Sequence, residues 1–221
     1  KKWWGKGKVR VAGVDEAGRG PLAGPVVAAA CVVPEGVEVP GVNDSKQLTE
    51  AQREEIYSFL IAHPEIECAT WALPPAEIDR INILQATMVA MEQAVLALKN
   101  GRPDAILVDG NKCPAGLASD TTEVIVKGDA KCVSIAAASI LAKVTRDRMM
   151  KALDIAYPQY LFAKHKGYGT AAHFAAIRAH GPCIEHRWSF APVKEYPKLQ
   201  SGTPIQYEGS SDHEGVPEIA S

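Results

Sequence analysis

The sequence predicts a mixed α/β domain organised around one central sheet. Short apolar β-type runs crowd the first third of the chain and then alternate with helical stretches. Two stretches of more than twenty residues repeat apolar positions every three or four residues. Three of the β-type runs end in an acid with a glycine close by, the pattern of a sheet whose strand ends carry a site.

Val9 to Val14 is apolar and β-rich, so it reads as a buried strand. Val26 to Val33, bounded by Pro25 and Pro34, reads as its antiparallel partner across a Gly18–Pro25 loop. Leu48 to Ala62 has helical spacing, with Thr49 as N-cap and Gln52 three residues on. Cys68 to Leu73 is a further strand, stopped by Pro74-Pro75. Ala76 to Lys99 is expected to form one long helix, on Ile78, Ile81, Leu84, Met88, Met91, Val95 and Leu98. Ala105–Val108 and Glu123–Val126 are compact strands leading into Asp109-Gly110 and Lys127-Gly128-Asp129. Val133 to Ala156 is a second long helix whose small first half suits close packing on a sheet. Thr170 to His180 is a third helix, ended by Gly181-Pro182.

At 221 residues, 47% apolar and 23% charged, the composition is that of an ordinary globular protein large enough for a proper core. The net charge of -2 hides an uneven distribution. The end of the chain carries Glu195, Glu208, Asp212, Glu214 and Glu218 against Lys198 alone, which leaves the rest net basic. That balance permits a polyanionic substrate without demanding one. The expected organisation is a basic lead over 1–8, a catalytic domain over 9–194 and an acidic polar tail over 195–221 whose composition predicts disorder. The five cysteines show no zinc or redox spacing and read as reduced buried thiols. The lead lacks the apolar core of a secretion signal, and no run approaches a membrane span, so a cytoplasmic location is expected.

Asp15, Glu16, Asp109 and Asp129 are the candidate metal ligands. Far apart in sequence, they meet if the strand ends converge, and clustered carboxylates repel one another unless a hard cation joins them. Each alone has a plainer explanation as a turn or cap residue, Asp129 above all as an N-cap. Asp15 and Glu16 are adjacent, and strand neighbours point to opposite faces, so sharing a site requires the chain to have turned there. Ala17-Gly18-Arg19-Gly20 provides such a turn. The same glycines would let backbone groups approach a ligand, with Arg19 facing a phosphate. Lys46, Ser139 and Lys143 are candidate phosphate contacts; Ser139 and Lys143 belong to a polar stripe, continued by Arg146 or Asp147, that a solvated helix face explains equally well. Lys164-His165-Lys166-Gly167-Tyr168-Gly169 places an aromatic between glycines within a basic turn, a pattern suited to stacking on a nucleotide.

With these residues set out, the chain closely resembles the bacterial ribonuclease HII (type 2 ribonuclease H) family. The matching segments are Ala12 to Val27, Asn43 to Leu48, Leu107 to Gly110, Val126 to Asp129, Ala136 to Asp147 and His165 to Thr170. The resemblance implies a ribonuclease H-like fold, with a mixed sheet flanked by helices and a helical C-terminal part. It implies that Asp15, Glu16, Asp109 and Asp129 hold two Mg²⁺ or Mn²⁺ ions when substrate is bound. It further implies that Gly18, Arg19, Gly20 and Tyr168 read the substrate at the ribonucleotide junction. The implied partner is an RNA–DNA hybrid, or DNA with an embedded ribonucleotide nicked on its 5′ side, acted on by a monomer with no obligate protein partner. Ribonuclease HIII is the nearest rival, but it typically has Gly-Thr-Gly where Arg19 stands here. A non-catalytic hybrid-binding module is the rival of another class, and the four acids argue against it, since a pure phosphate binder is better served by bases.

Overall fold

The computed structural model describes residues 5, 7, 9–42 and 48–197. Lys46, one of the candidate phosphate contacts, lies outside the described residues, as do most of the basic lead and residues 198–221. Among the described residues five strands form one sheet: β1 (Val11–Ala17), β2 (Val26–Val32), β3 (Glu67–Leu73), β4 (Ala105–Asp109) and β5 (Thr122–Ile125), in the order β3-β2-β1-β4-β5. The first three make an antiparallel meander, and β4 and β5 then add in parallel to β1.

Among the described residues there are six α-helices: α1 (Glu50–Ala62), α2 (Pro75–Ile81), α3 (Ile83–Leu96), α4 (Val133–Ala156), α5 (Phe162–His165) and α6 (Ala171–His180). One face of the sheet packs on α1 and α4 through residues such as Ala29, Cys31, Leu60 and Leu141. The other packs on α3 through Val14, Ala28, Met91 and Val95. Each fully buried large aliphatic side chain contributes roughly 1.5–3 kcal/mol. The small first half of α4 serves the close approach expected of it. A Cβ added at Gly13 of β1 would lie 2.1 Å from the Ser134 carbonyl carbon, so only glycine lets the helix backbone sit on the strand.

Two expectations about elements need correction. The stretch 76–99 is two helices broken at Asn82, whose φ of 68° is outside the helical region. Its side-chain oxygen accepts from the Leu84 and Gln85 amides, so it ends one helix and caps the next, although no glycine or proline stands at the break. The first strand also runs on through Ala17, because its pairing with β2 continues to Ala17↔Val27. The acids Asp15 and Glu16 therefore lie within the strand, and the turn comes after them. The capping box of α1 on Thr49 and Gln52 is present as read, and Thr170 caps α6. No helix among the described residues is long and apolar enough to cross a membrane.

Candidate active site

The parallel register explains why distant acids meet. Val14 of β1 stands beside Val108 of β4, so the next residues, Asp15 and Asp109, come side by side where the β1–β4 pairing stops, Asp109 at the end of β4 and Asp15 still within β1. Asp109 in turn stands beside Ile125 of β5, and the chain leaving β5 brings Gly128 to the Asp109 carboxylate, with Asp129 next in sequence. The Gly128 amide donates to the Asp109 carboxylate at 2.6 Å. A Cβ at Gly128 would lie 2.5 Å from Ile135 Cδ1 and 3.2 Å from Asp109 Oδ1, so glycine is what allows this contact. Asp129 is not an N-cap: it sits in a short 3-10 turn, and α4 begins from Cys132.

The electrostatics at this edge are those of crowded acid. Asp15 is 6% exposed, and its carboxyl is held well above the ordinary range, first by burial and then by the charges of Glu16 and Asp109. The Glu16 amide, donating at 2.7 Å, and the Ser139 hydroxyl pull it back only in part. Glu16 is also raised, chiefly by burial, with Asp109 adding to the rise and Arg19 opposing it across a 3.4 Å ion pair. Asp15 and Glu16 thus both feel Asp109 although no turn separates them. Two carboxyls raised by burial and by the neighbouring charge of Asp109 want a cation, and hard oxygen donors suit Mg²⁺ or Mn²⁺. Among the described residues no three acids, histidines or cysteines close up into a ready-made ligand shell. Magnesium binds through one or two carboxylates with water and substrate phosphate completing the set, so an open arrangement fits it.

A cleft adjoins the acids, bordered by Glu16, Gly18–Gly20, Ser139, Lys143 and Tyr168. Tyr168 is 47% exposed and lies beside Gly20, where an added Cβ would be 3.6 Å from Tyr168 Cε1. Lys143 pairs with Asp147 at 2.7 Å while still reaching the cleft wall. The polar stripe on α4 is not a solvated face, since Arg146 and Asp147 are both buried.

Sequence reasoning missed what holds this cleft in shape. Arg146 and Arg187 are buried under the Gly18–Pro25 loop and donate to its carbonyls. Burial lowers both, Arg146 to about 10 and Arg187 to about 9, so each remains cationic at neutral pH. The loop bearing Tyr168 rests on a chain of imidazoles. The Cys183 amide donates to His186 Nδ1 at 3.0 Å, His186 Nε2 meets His173 Nε2 at 3.1 Å, and His173 Nδ1 meets the Tyr168 carbonyl at 2.9 Å. One consistent set of tautomers satisfies the chain: His186 donates to His173, and His173 donates to Tyr168. The neighbouring Cys183 thiol is no nucleophile, for burial pushes it up to about 12.

This chain requires neutral histidines, because a proton added to either would set two N–H donors face to face. Burial accordingly lowers His173 to about 4 and His186 to about 3, with neighbouring imidazole charge contributing to both. The unfolded chain, with histidine near 6.5, therefore binds more protons than the folded one below that pH, and stability falls as pH falls. Between pH 7 and 5 the expected loss is on the order of 3–4 kcal/mol for the pair. Urea unfolding of an Asp15→Asn/Glu16→Gln variant, in which the opposing titrations of both raised carboxyls are absent, measures it. A flat profile over that window would show that the imidazoles are not held neutral.

Comparison with known proteins gives a consistent result. Residues 12–193 match the family model described as Ribonuclease HII. The chain is 54% identical over 197 residues to the ribonuclease HII of Chlamydia trachomatis serovar A, covering 89% of this chain and 88% of that protein. Among solved structures it is similar to the ribonuclease H2 of Pyrococcus horikoshii, at a TM-score of 0.70 and 32% identity over 84% of this chain and 96% of that one. It shares its fold with Bst-RNase HIII, which was solved in complex with Mn²⁺, at a TM-score of 0.65 and 22% identity over 85% of this chain and 69% of that one.

Proposed function

The chain belongs to the ribonuclease HII family and is a ribonuclease H, and from that premise we propose that it nicks duplex DNA 5′ of an embedded ribonucleotide as well as hydrolysing the RNA strand of RNA–DNA hybrids, leaving 3′-hydroxyl and 5′-phosphate ends. The observation that carries this reading is the placement of Asp15 and Asp109 side by side where the parallel β1–β4 pairing stops, next to a cleft bordered by Gly18–Gly20 and Tyr168.

Asp15, Glu16, Asp109 and Asp129 are the residues that would hold two Mg²⁺ or Mn²⁺ ions. Cations held there supply activation of the attacking water and offset the charge that develops on the departing 3′ oxygen. The chain does the rest by position. Gly128 fixes the Asp109 carboxylate through its amide, and the Ser139 hydroxyl orients Asp15. Lys143 and Arg19 at the cleft wall would balance the negative phosphates, Arg19 from beside Glu16. Lys46, outside the described residues, is proposed as a further phosphate contact from its place in the Asn43–Leu48 segment alone. The Gly18–Gly20 backbone and the Tyr168 ring read the ribose at the junction, since the 2′-hydroxyl alone distinguishes the sugars. No side-chain nucleophile takes part, in keeping with the inert Cys183. We further propose a monomeric enzyme of a reducing compartment; its free thiols, buried at Cys31 and Cys183, fit that compartment.

The direct test is a labelled RNA–DNA hybrid incubated with Mg²⁺ or Mn²⁺, with a chelator control. The expected products carry 3′ ends that a polymerase extends without prior phosphatase treatment. Products ending in a 3′-phosphate or cyclic phosphate would mean attack by the neighbouring 2′-hydroxyl and would remove water from the mechanism.

A further inference from the structure

Nothing in the reaction above uses Arg187, yet burying a guanidinium is costly unless its donors are all engaged. The residue is fully buried, and its hydrogen-bond acceptors are backbone carbonyls. It donates to Gly18 at 2.5 Å, Arg19 at 2.9 Å, Gly24 at 3.1 and 2.9 Å, and Pro25 at 3.2 Å. One planar fork thus spans both arms of the loop. Arg146 supports the far arm alone, through Pro25 at 2.9 Å and Ala23 at 3.1 Å. The segment carrying Arg187 is itself fixed by Asp79, whose carboxylate accepts the Trp188 and Ser189 amides, each at 2.8 Å.

The consequence follows from the planarity of the peptide. In a trans peptide the carbonyl and the amide of one unit point in opposite directions. With the Gly18 and Arg19 carbonyls drawn inward to Arg187, the Arg19 and Gly20 amides must point outward. Gly18 is buried, Arg19 and Gly20 are exposed, and all three border the cleft. Among the described residues neither outward amide donates to a protein acceptor.

We infer that Arg187 is a positioning residue for ribonucleotide discrimination: by holding the Gly18 and Arg19 carbonyls it presents the Arg19 and Gly20 amides to the cleft as a pair of donors for the ribose 2′-hydroxyl oxygen. This rests on the reading of that loop given under Proposed function. A lysine at this position keeps the charge but offers a point in place of a fork, and it cannot fix two peptide planes and the opposite arm together.

The test is binding, measured in Ca²⁺ without turnover, of two duplexes that differ only in one ribonucleotide. The wild type is expected to prefer the ribonucleotide-containing duplex. In Arg187→Lys that preference is expected to fall by about tenfold or to vanish, while affinity for the all-DNA duplex stays within about threefold. If the two affinities instead fall in step with the folded fraction and their ratio is kept, Arg187 is structural only and the inference is wrong. A wild type with no preference would overturn the underlying reading of the loop, a failure distinct from a variant that keeps the preference. Should Arg187→Lys not fold, amide exchange in the wild type decides. The Arg19 and Gly20 amides are expected to exchange freely in the unbound protein, and to be protected by the ribonucleotide-containing duplex but not by the all-DNA duplex. Slow exchange in the unbound protein would overturn the inference.

Discussion

Asp109→Asn is expected to lower cleavage by at least about 10³-fold, about 4 kcal/mol of transition-state stabilisation, while leaving the fold intact. Asparagine is nearly isosteric and its side-chain oxygen can still accept the Gly128 amide, so the turn after β5 keeps its anchor. What is lost is one negative charge beside Asp15 and Glu16, both of which Asp109 raises in the present protein. Affinity for an RNA–DNA hybrid in Ca²⁺ should change little, because phosphate contacts carry most of it. Steady-state cleavage and a binding isotherm on the same preparation test the two halves of this prediction. Unchanged cleavage would remove Asp109 from the mechanism. Equal loss of binding and cleavage would make it a structural residue.

Gly18→Ala is expected to cost roughly 3–5 kcal/mol of stability, a large share of what a domain this size possesses. Gly18 has a φ of 95°, a region that L side chains rarely adopt, and a Cβ there would lie 2.1 Å from Arg146 Nε and 2.8 Å from the Pro25 carbonyl oxygen. Relief would require Arg146 to abandon its bond to Pro25, leaving a buried guanidinium without one of its acceptors. Gly20→Ala is the control, because its added Cβ meets only Tyr168 Cε1 at an ordinary contact distance. Its stability should stay within about 1 kcal/mol of the wild type. Thermal unfolding of the two variants side by side measures the contrast. Equal stability would mean that the loop is not pinned as described.

The elements that were legible in the sequence are those whose signal is local. The apolar β-type runs, the Thr49–Gln52 capping box and the Gly181 stop all depend on residues within one turn or one strand. The candidate acids Asp15 and Asp109 stood out because each follows an apolar β-type run, and the parallel register places them where the β1–β4 pairing stops. The break at Asn82 was not legible, since the apolar spacing on either side of it continues almost in phase and asparagine enters positive φ without announcing it. Nor were Arg146 and Arg187. An arginine is ordinarily solvated, and nothing near Arg187 in the chain shows that its acceptors lie 169 residues earlier, at Gly18. The nearest available signal was the Gly18–Pro25 loop itself, with Gly18, Gly20 and Gly24 in a segment that must bury its carbonyls against something. The histidine chain was equally hidden, because His173 and His186 show their partnership only once α6 has folded back over the Tyr168 loop.

The central claim is that one cleft joins a carboxylate site for cations to a reader of the ribose 2′-hydroxyl. A labelled DNA duplex containing a single ribonucleotide, incubated with Mg²⁺ or Mn²⁺ and with a chelator control, tests it most directly. The account predicts one nick, dependent on the cation, on the 5′ side of the ribonucleotide, and none in the all-DNA duplex. Cleavage confined to long hybrids would contradict the roles of Gly18–Gly20 and Tyr168 while sparing the acids. Tight binding with no cleavage in either cation would contradict the catalytic reading itself.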